Sequence, residues 1–254
     1  MKSFLICLLF VNFWTSYAGI GIDSKKKLDL IQWICLGDAN FEMMFAQVYE
    51  TAGQVDENGI LNLLAEDFDG SMQMSAYIAP CVSGKCLNGI NDAAGQVNAT
   101  LQNLKQKVSD FEGYVFIEVA TYQNWSSNKA QNQQFIVEMV NSLHFANSFM
   151  GIITGQSAWT SIFGASFTNA SVFAQDLVWV NWNGVEDLTT GWTPFGGWTQ
   201  PVAHQYAGNI NNNNCTIGKP INYVYFDSES DFGKRMKKTK VDEKRQKVHK
   251  FDRN

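Results

Sequence analysis

Between Gly19 and Phe226 the chain has no arginine, and its 8 lysines face 18 aspartates and glutamates, a net charge of −10. An acidic body of this kind opposes long-range attraction to nucleic acid or to anionic cell envelopes, so no nucleic-acid partner is expected. Histidine occurs only three times, at His144, His204 and His249, and no pair of CxxC motifs accompanies them. No metal site and no cofactor are therefore expected. No Ser-His-Asp or Cys-His constellation can be traced, and no glycine-rich phosphate loop follows a strand. Beyond residue 18 no apolar run is long enough to form a membrane helix. No internal repeat or linker splits the chain.

What is present begins at the N-terminus. Lys2 precedes an apolar run from Phe4 to Trp14, then Ser16-Tyr17-Ala18 in the small-x-small pattern of a signal-peptidase site. Residues 1–18 are expected to be a signal peptide and the protein to be secreted or lumenal. Cys7 lies in that segment, which leaves Cys35, Cys81, Cys86 and Cys215. An even count in an oxidising compartment argues for disulfides. Of the three possible pairings, Cys81–Cys86 is favoured because Ser83-Gly84 can turn the chain between them, leaving Cys35 with Cys215. Four N-x-[S/T] sequons, at Asn98, Asn124, Asn169 and Asn214, fit a glycosylated secreted chain. Residues 227–254 reverse the charge balance, with 10 Lys and Arg against 6 Asp and Glu. This tail reads as a charged, disordered or loosely helical appendage with no apolar face to bury, behind a single domain over 19–226.

Period and punctuation sort that domain into alternating elements. Strands are expected at Ile20–Asp23, Met43–Tyr49, Met72–Ile78, Tyr114–Val119, Phe149–Thr154, Leu177–Trp182, Val202–Tyr206 and Ile221–Phe226. Gly53-Gln54-Val55-Asp56 reads as a loop. Helical spacing appears from Asn62 to a stop at Gly70, over 91–110, in a helix capped by Ser127, and at Ala158–Phe163. After the sixth strand the rhythm changes to loops rich in Gly, Trp and Thr. The architecture this implies is an α/β fold, a β/α barrel of five β/α units followed by three strands with little helix between them.

Glu118 stands near the C-terminal end of the strand Tyr114–Val119, where ligands and catalytic groups collect in such folds. A buried apolar strand has little structural use for a carboxylate, because desolvating its charge is costly. Around it runs an ordered set of local words: G-I-D at 21–23, F-A-Q-V-Y-x-x-x-G-x-V-D-x-N at 45–58, Y-I-A-P-C at 77–81, and G-I-I-T-G-Q-S-A-W at 151–159. L-V-W-V at 177–180, F-G-G-W-x-x-P at 195–201, Q-Y-A-G at 205–208, Cys215 and the N-Y pair at 222–223 follow. This set, covering about 20–226, resembles family 25 glycoside hydrolases, and within them the secreted nematode lysozymes of the Entamoeba type.

The resemblance implies a flattened TIM-like barrel and hydrolysis of the β-1,4 bond of bacterial peptidoglycan by a group of carboxylates. One carboxyl must protonate the leaving oxygen while another stabilises charge at the anomeric carbon. Asp23 matches the family's first Asp. An ungapped alignment puts Glu118 on the Asp of the family's Asp-x-Glu and Ala120 on its acid, the Glu. Pro220 then falls on the last Asp, and Gln47 on an arginine. A gapped alignment puts Glu118 on the Glu and Phe116 on the Asp. The ungapped one is preferred, and in neither is the pair complete.

Tyr49, Tyr77, Trp179 and Trp198 are candidates to line a sugar cleft, since flat rings stack on pyranose faces, and each is equally readable as core. Gln205 and Tyr206 match the family's floor strand. His204, one residue earlier, is turned away from the pocket by strand alternation. Three readings remain open: a binder of peptidoglycan or a related glycan with weak or no hydrolysis, a muramidase using Glu118 as acid and Asp23 as partner, and a secreted interaction scaffold.

Overall fold

The computed structural model describes residues 18–69, 72–108, 111, 113–211 and 213–236. The signal segment up to residue 17, the expected helix stop at Gly70, and residues 237–254 of the tail lie outside them.

Five β/α units come first. They are β1 (Ala18–Ser24) with α1 (Leu30–Asp38), β2 (Phe41–Glu50) with α2 (Glu57–Asp69), and β4 (Gln73–Ile78) with α3 (Ala93–Lys107). Then come β5 (Val115–Val119) with α4 (Lys129–Phe145), and β6 (Met150–Thr154) with α5 (Gln156–Phe163). Strands β7 (Asp176–Val180), β8 (Ala203–Ile210) and β9 (Ile221–Asp227) follow with no α-helix between them. The sheet runs β1-β9-β8-β7-β6-β5-β4-β2 and closes by parallel pairing of β1 with β2. Only β9 is antiparallel to its barrel neighbours. This is the expected barrel of five units plus three strands.

Two local readings change. Gln54–Val55 is not loop but a short strand, β3, folded back antiparallel on Tyr49 and Glu50 of β2. The cap of α4 is Asn128, whose side chain accepts from the N–H groups of Ala130 and Gln131, rather than Ser127. Helix α1, absent from the expectations, carries a capping box in which Asp29 accepts from the Gln32 N–H and the Gln32 side chain returns the bond.

Alternation along the strands builds two cores. Met43, Phe45, Tyr77, Phe116, Ile153, Val178, Val224 and Phe226 point into the barrel. Met44, Ala46, Ile78, Ile117 and Ile152 point outward, against Leu36, Val97, Ile136, Leu143 and Trp159 of the helices. Both faces of each strand are thus apolar, as the continuous hydrophobic runs require. Space for the Phe116 ring depends on Gly151 of β6, where an added Cβ would come within 2.4 Å of that ring.

Both expected disulfides form. Cys81–Cys86 closes the loop after β4, and Cys35–Cys215 ties α1 to the β8–β9 connection across 180 residues. The cross-link removes a long loop from the unfolded ensemble, which is where such bonds gain most of their effect in the chain-entropy account.

The tail does not begin where the charge balance shifts. Residues 231–236 form a short helical segment whose Phe232 (1 % exposed) and Met236 (3 %) join the inner core. Phe232 meets the rings of Tyr114, Phe116 and Phe226. Arg235 donates to both oxygens of Asp176, at 3.1 and 2.9 Å, and to the Tyr114 hydroxyl at 2.6 Å. The reading that everything from Asp231 onward lacks an apolar face is therefore corrected. Its charges hid two hydrophobic residues, four apart, that plug the end of the barrel opposite the mouth. Phe232→Ala is expected to lower stability by about 3–5 kcal/mol. In this size class that is a fall in melting temperature on the order of 10 °C. Truncation at Ser230 should cost at least as much, and an unchanged melting curve for either variant would show that the plug is dispensable.

Candidate functional site

Closure of the barrel brings the mouth ends of β1, β5, β8 and β9 around one cavity of about 660 Å³. Its lining includes Asp23, Glu118, Ala120, Gln205 and Pro220, five positions singled out from the sequence, and also Lys25, Tyr122, Trp182 and Asn222. Inward parity explains the assembly. Tyr114 and Phe116 face the barrel interior, so Glu118 and then Ala120 follow on the same side of the chain, one level higher at each step.

Asp23 is 3 % exposed and is the hub of a neutral hydrogen-bond set. Tyr77 donates to Oδ1 at 3.0 Å, while Gln205 and Asn222 donate to Oδ2 at 3.1 and 2.8 Å. Burial raises its pKa above the ordinary 3.8, against the pull of Lys25 and of these three donors. Glu118, with its side chain 14 % exposed, accepts a hydrogen bond from the Tyr122 hydroxyl and pairs with Lys25 Nζ at 3.6 Å. Its pKa also lies above the ordinary value because of burial, with Lys25 and Tyr122 opposing and the charge of Asp23 adding to the rise. Lys25 donates to Tyr122 at 2.7 Å, and Gln123 Nε2 donates to the Glu118 carbonyl at 3.0 Å, fixing the end of the strand. Burial and the neighbouring Glu118 push the Tyr122 phenol upward, so it remains a donor.

The arrangement has consequences for the chemistry it can perform. A general acid must hold a proton and direct it at a leaving group. Both Glu118 oxygens are instead engaged, one by a phenol and one by an ammonium. Two carboxylates surrounded by amides and hydroxyls are suited to accept hydrogen bonds from a polyhydroxylated ligand. Ala120 presents only a methyl group to the cavity, and Pro220 a ring with no donor or acceptor in its side chain.

The aromatic candidates separate. Tyr77 reaches the site through its hydroxyl. Tyr49, Trp179 and Trp198 are core residues: Tyr49 is fully buried and accepts from Asn88, Trp198 donates to the Ala174 carbonyl, and Trp179 stacks on His204. Tyr206 is buried and donates to Glu186 at 3.0 Å, so of the pair on β8 only Gln205 lines the cavity. Gln47 is buried beside the site, donating to Asp56 at 3.0 Å. The exposed aromatic residues lining the cavity are Tyr122 and Trp182, and the Trp182 indole N–H donates to Gln205 Oε1 at 3.0 Å. Its ring lies flat on Gly208, where a Cβ would come within 2.1 Å. Sequence reasoning missed Trp182 because it ends the expected strand Leu177–Trp182, whereas β7 stops at Val180. The glycine of Q-Y-A-G was the available signal. Lys25 and Tyr122 were missed as well; Tyr122 stands four residues after Glu118, where the chain turns over the mouth. Asn98, Asn124, Asn169 and Asn214 are all exposed. Among the described residues no group of three His, Cys, Asp or Glu is placed to hold a metal ion, and no helix is long and apolar enough to cross a membrane.

Comparison with known proteins places this geometry. The family described as Lysozyme-like protein 1 matches residues 15–206. Lysozyme-like protein 5 of Caenorhabditis elegans is 28 % identical over 88 % of this chain and 100 % of its own length. A probable GH family 25 lysozyme 5 of Dictyostelium discoideum is 30 % identical over 87 % of this chain and 98 % of its own. A family GH25 lysozyme from Aspergillus fumigatus shares the fold with a TM-score of 0.61 at 15 % identity, covering 87 % of this chain and 98 % of that one. On the family match and the 30 % identity together, the chain belongs to the lysozyme-like proteins of glycoside hydrolase family 25.

Proposed function

We propose that this protein is a secreted glycan-binding member of the lysozyme fold that has lost effective hydrolysis, acting in defence or digestion by holding bacterial peptidoglycan or a related glycan. The observation that carries the reading is the cavity wall. Ala120 and Pro220 line it beside Asp23 and Glu118, and they are the residues that the ungapped alignment puts on the family's acid and last aspartate. The position of Phe116 supports the ungapped register, since it is fully buried in the apolar middle of the barrel, two residues below Glu118. Secretion is supported by the N-terminal segment and the two disulfides, and attachment of glycans by the four exposed sequons.

The competing reading, a muramidase with Glu118 as acid and Asp23 as partner, draws on one feature: burial raises both carboxyls in a single cavity. Lack of a positioned acid costs roughly 10²–10⁴-fold. Moving two residues along a strand displaces a group by about 6–7 Å, so Glu118 does not substitute for a carboxyl at 120. Purified protein should retain insoluble peptidoglycan in a sedimentation assay yet give no clearing between pH 4 and 8. Trp182→Ala should weaken retention by about five- to tenfold, the worth of one ring stacked on a sugar. Ala120→Glu alone should restore little turnover, and Ala120→Glu with Pro220→Asp is the pair that tests for a latent site. Robust turnover by the unmodified protein, abolished by Glu118→Gln, would overturn the proposal.

The raised carboxyls also have a stability signature. Both hold protons in the folded state at pH values where the unfolded chain has released them. Their contribution is therefore fully present below the ordinary values of 3.8 and 4.5, and falls as pH rises from there toward the raised ones. In urea titrations, the stability of wild type minus that of Asp23→Asn with Glu118→Gln should decrease with pH across this window. A difference that is flat or rises with pH would show that neither carboxyl is shifted upward.

A further inference from the structure

His204 belongs to none of the machinery above, yet it is completely buried and both of its ring nitrogens face backbone carbonyls. Nδ1 is 2.6 Å from the Asp187 oxygen and Nε2 is 2.8 Å from the Asn181 oxygen. A carbonyl only accepts, and a neutral imidazole has one N–H, so both contacts are hydrogen bonds only in the imidazolium. The ring also stacks on Trp179, with centroids 4.1 Å apart and planes 19° apart, a face that favours a cation.

The two carbonyls bracket residues 181–187, the first part of the β7–β8 connection, and this loop segment carries Trp182. Strand β8 grips this loop with three consecutive side chains. His204 holds both ends, Gln205 accepts from the Trp182 indole, and Tyr206 donates to Glu186. Two backbone bonds, Asn181 N–H to the Gln205 carbonyl and Gly184 N–H to the Tyr206 carbonyl, complete the seam. We infer that His204 is a positioning residue of the cavity that works as an imidazolium, so that protonation fastens the loop and sets the Trp182 wall. Loss of one proton leaves a ring lone pair against a carbonyl at under 3 Å, which loosens one end of the loop. Ligand capture is therefore stronger in acidic medium.

The titratable groups around the ring are few. The Asp187 carboxylate accepts from Thr189 and Thr190, and these hydrogen bonds, Thr190 first, with a smaller charge interaction with His204, hold it below its usual range. Glu186 is taken by Tyr206, and Tyr225 stands opposite on β9. Asp23 touches Gln205 and is itself titratable, its pKa raised by burial, so the test has to separate the two.

The inference rests on the glycan-binding reading for its functional meaning but not for its test. In the full chain, ring-nitrogen NMR should show both His204 nitrogens protonated at pH 5 and one proton lost on raising the pH. A 5-fluorotryptophan signal assigned by Trp182→Phe should move with the same midpoint, and His204→Gln should abolish that movement while an Asp23→Asn variant keeps it. Affinity for soluble muropeptides should fall roughly tenfold from pH 5 to 8, the size of one charge-assisted hydrogen bond. A neutral His204 tautomer at pH 5, or a Trp182 signal that ignores its titration, overturns the inference, and both are read on the unmodified ring even if His204→Gln does not fold. Absence of muropeptide binding at every pH would remove the glycan reading instead, with the ring and indole signals still deciding the clamp.

Discussion

A sheet that closes on itself has no edge, and here closure falls on β1, which pairs in parallel with β2 on one side and antiparallel with β9 on the other. Asp23 sits on this seam. Its carboxylate receives Tyr77 from β4, Gln205 from β8 and Asn222 from β9. One buried carboxyl group thus joins strands that are far apart in the chain. Buried polar groups are tolerated when all partners are supplied. The apolar layers below it fill the barrel, and the cavity begins where they stop.

The same inward parity that fills the barrel lifts polar residues of β1, β5, β8 and β9 to the mouth. It places Glu118 and Ala120 on a common line and turns His204 and Tyr206 outward while Gln205 faces in. Electrostatics then sorts the two carboxylates. Asp23 is served by neutral donors from the barrel itself, whereas Glu118 depends on Lys25 and Tyr122, which come from loops above it. The first is fixed by partners on the strands, and the second by partners that lie beyond the strand ends.

Strand positions were readable because runs such as Met43–Tyr49 and Tyr114–Val119 are apolar on both faces, a pattern few other elements share. Disulfide pairing was readable from one turn-forming pair, Ser83-Gly84. Helix α1 was not, because L-I-Q-W-I-C-L is apolar at nearly every position and shows no clean period, although the Asp29/Gln32 box marked its start. Strand β3 escaped since two residues carry no pattern. Among aromatics, sequence could not tell a ring that stacks on a ligand from one that fills the space between barrel and helices. Trp179 and Trp198 went to the core, and it is the exposed Trp182, packed on Gly208, that lines the cavity. Phe232 and Met236 were masked by the lysines around them, where composition outweighed a spacing of four.

These observations bear on what a retained catalytic residue means. Ala120 and Pro220 lie above the last packed layer and are partly exposed, so a change there disturbs no core contact and breaks no buried hydrogen bond. Asp23 is the opposite case, since replacing it takes an acceptor from the buried Tyr77 and Gln205 and from the half-buried Asn222, at a cost of about 1–3 kcal/mol for each buried donor left unpaired. Folding therefore constrains the carboxylate at the seam and leaves Ala120 and Pro220 at the rim free to vary. The presence of Asp23 is explained by folding alone, and the chemistry of the site has to be judged from the positions that folding leaves free to vary.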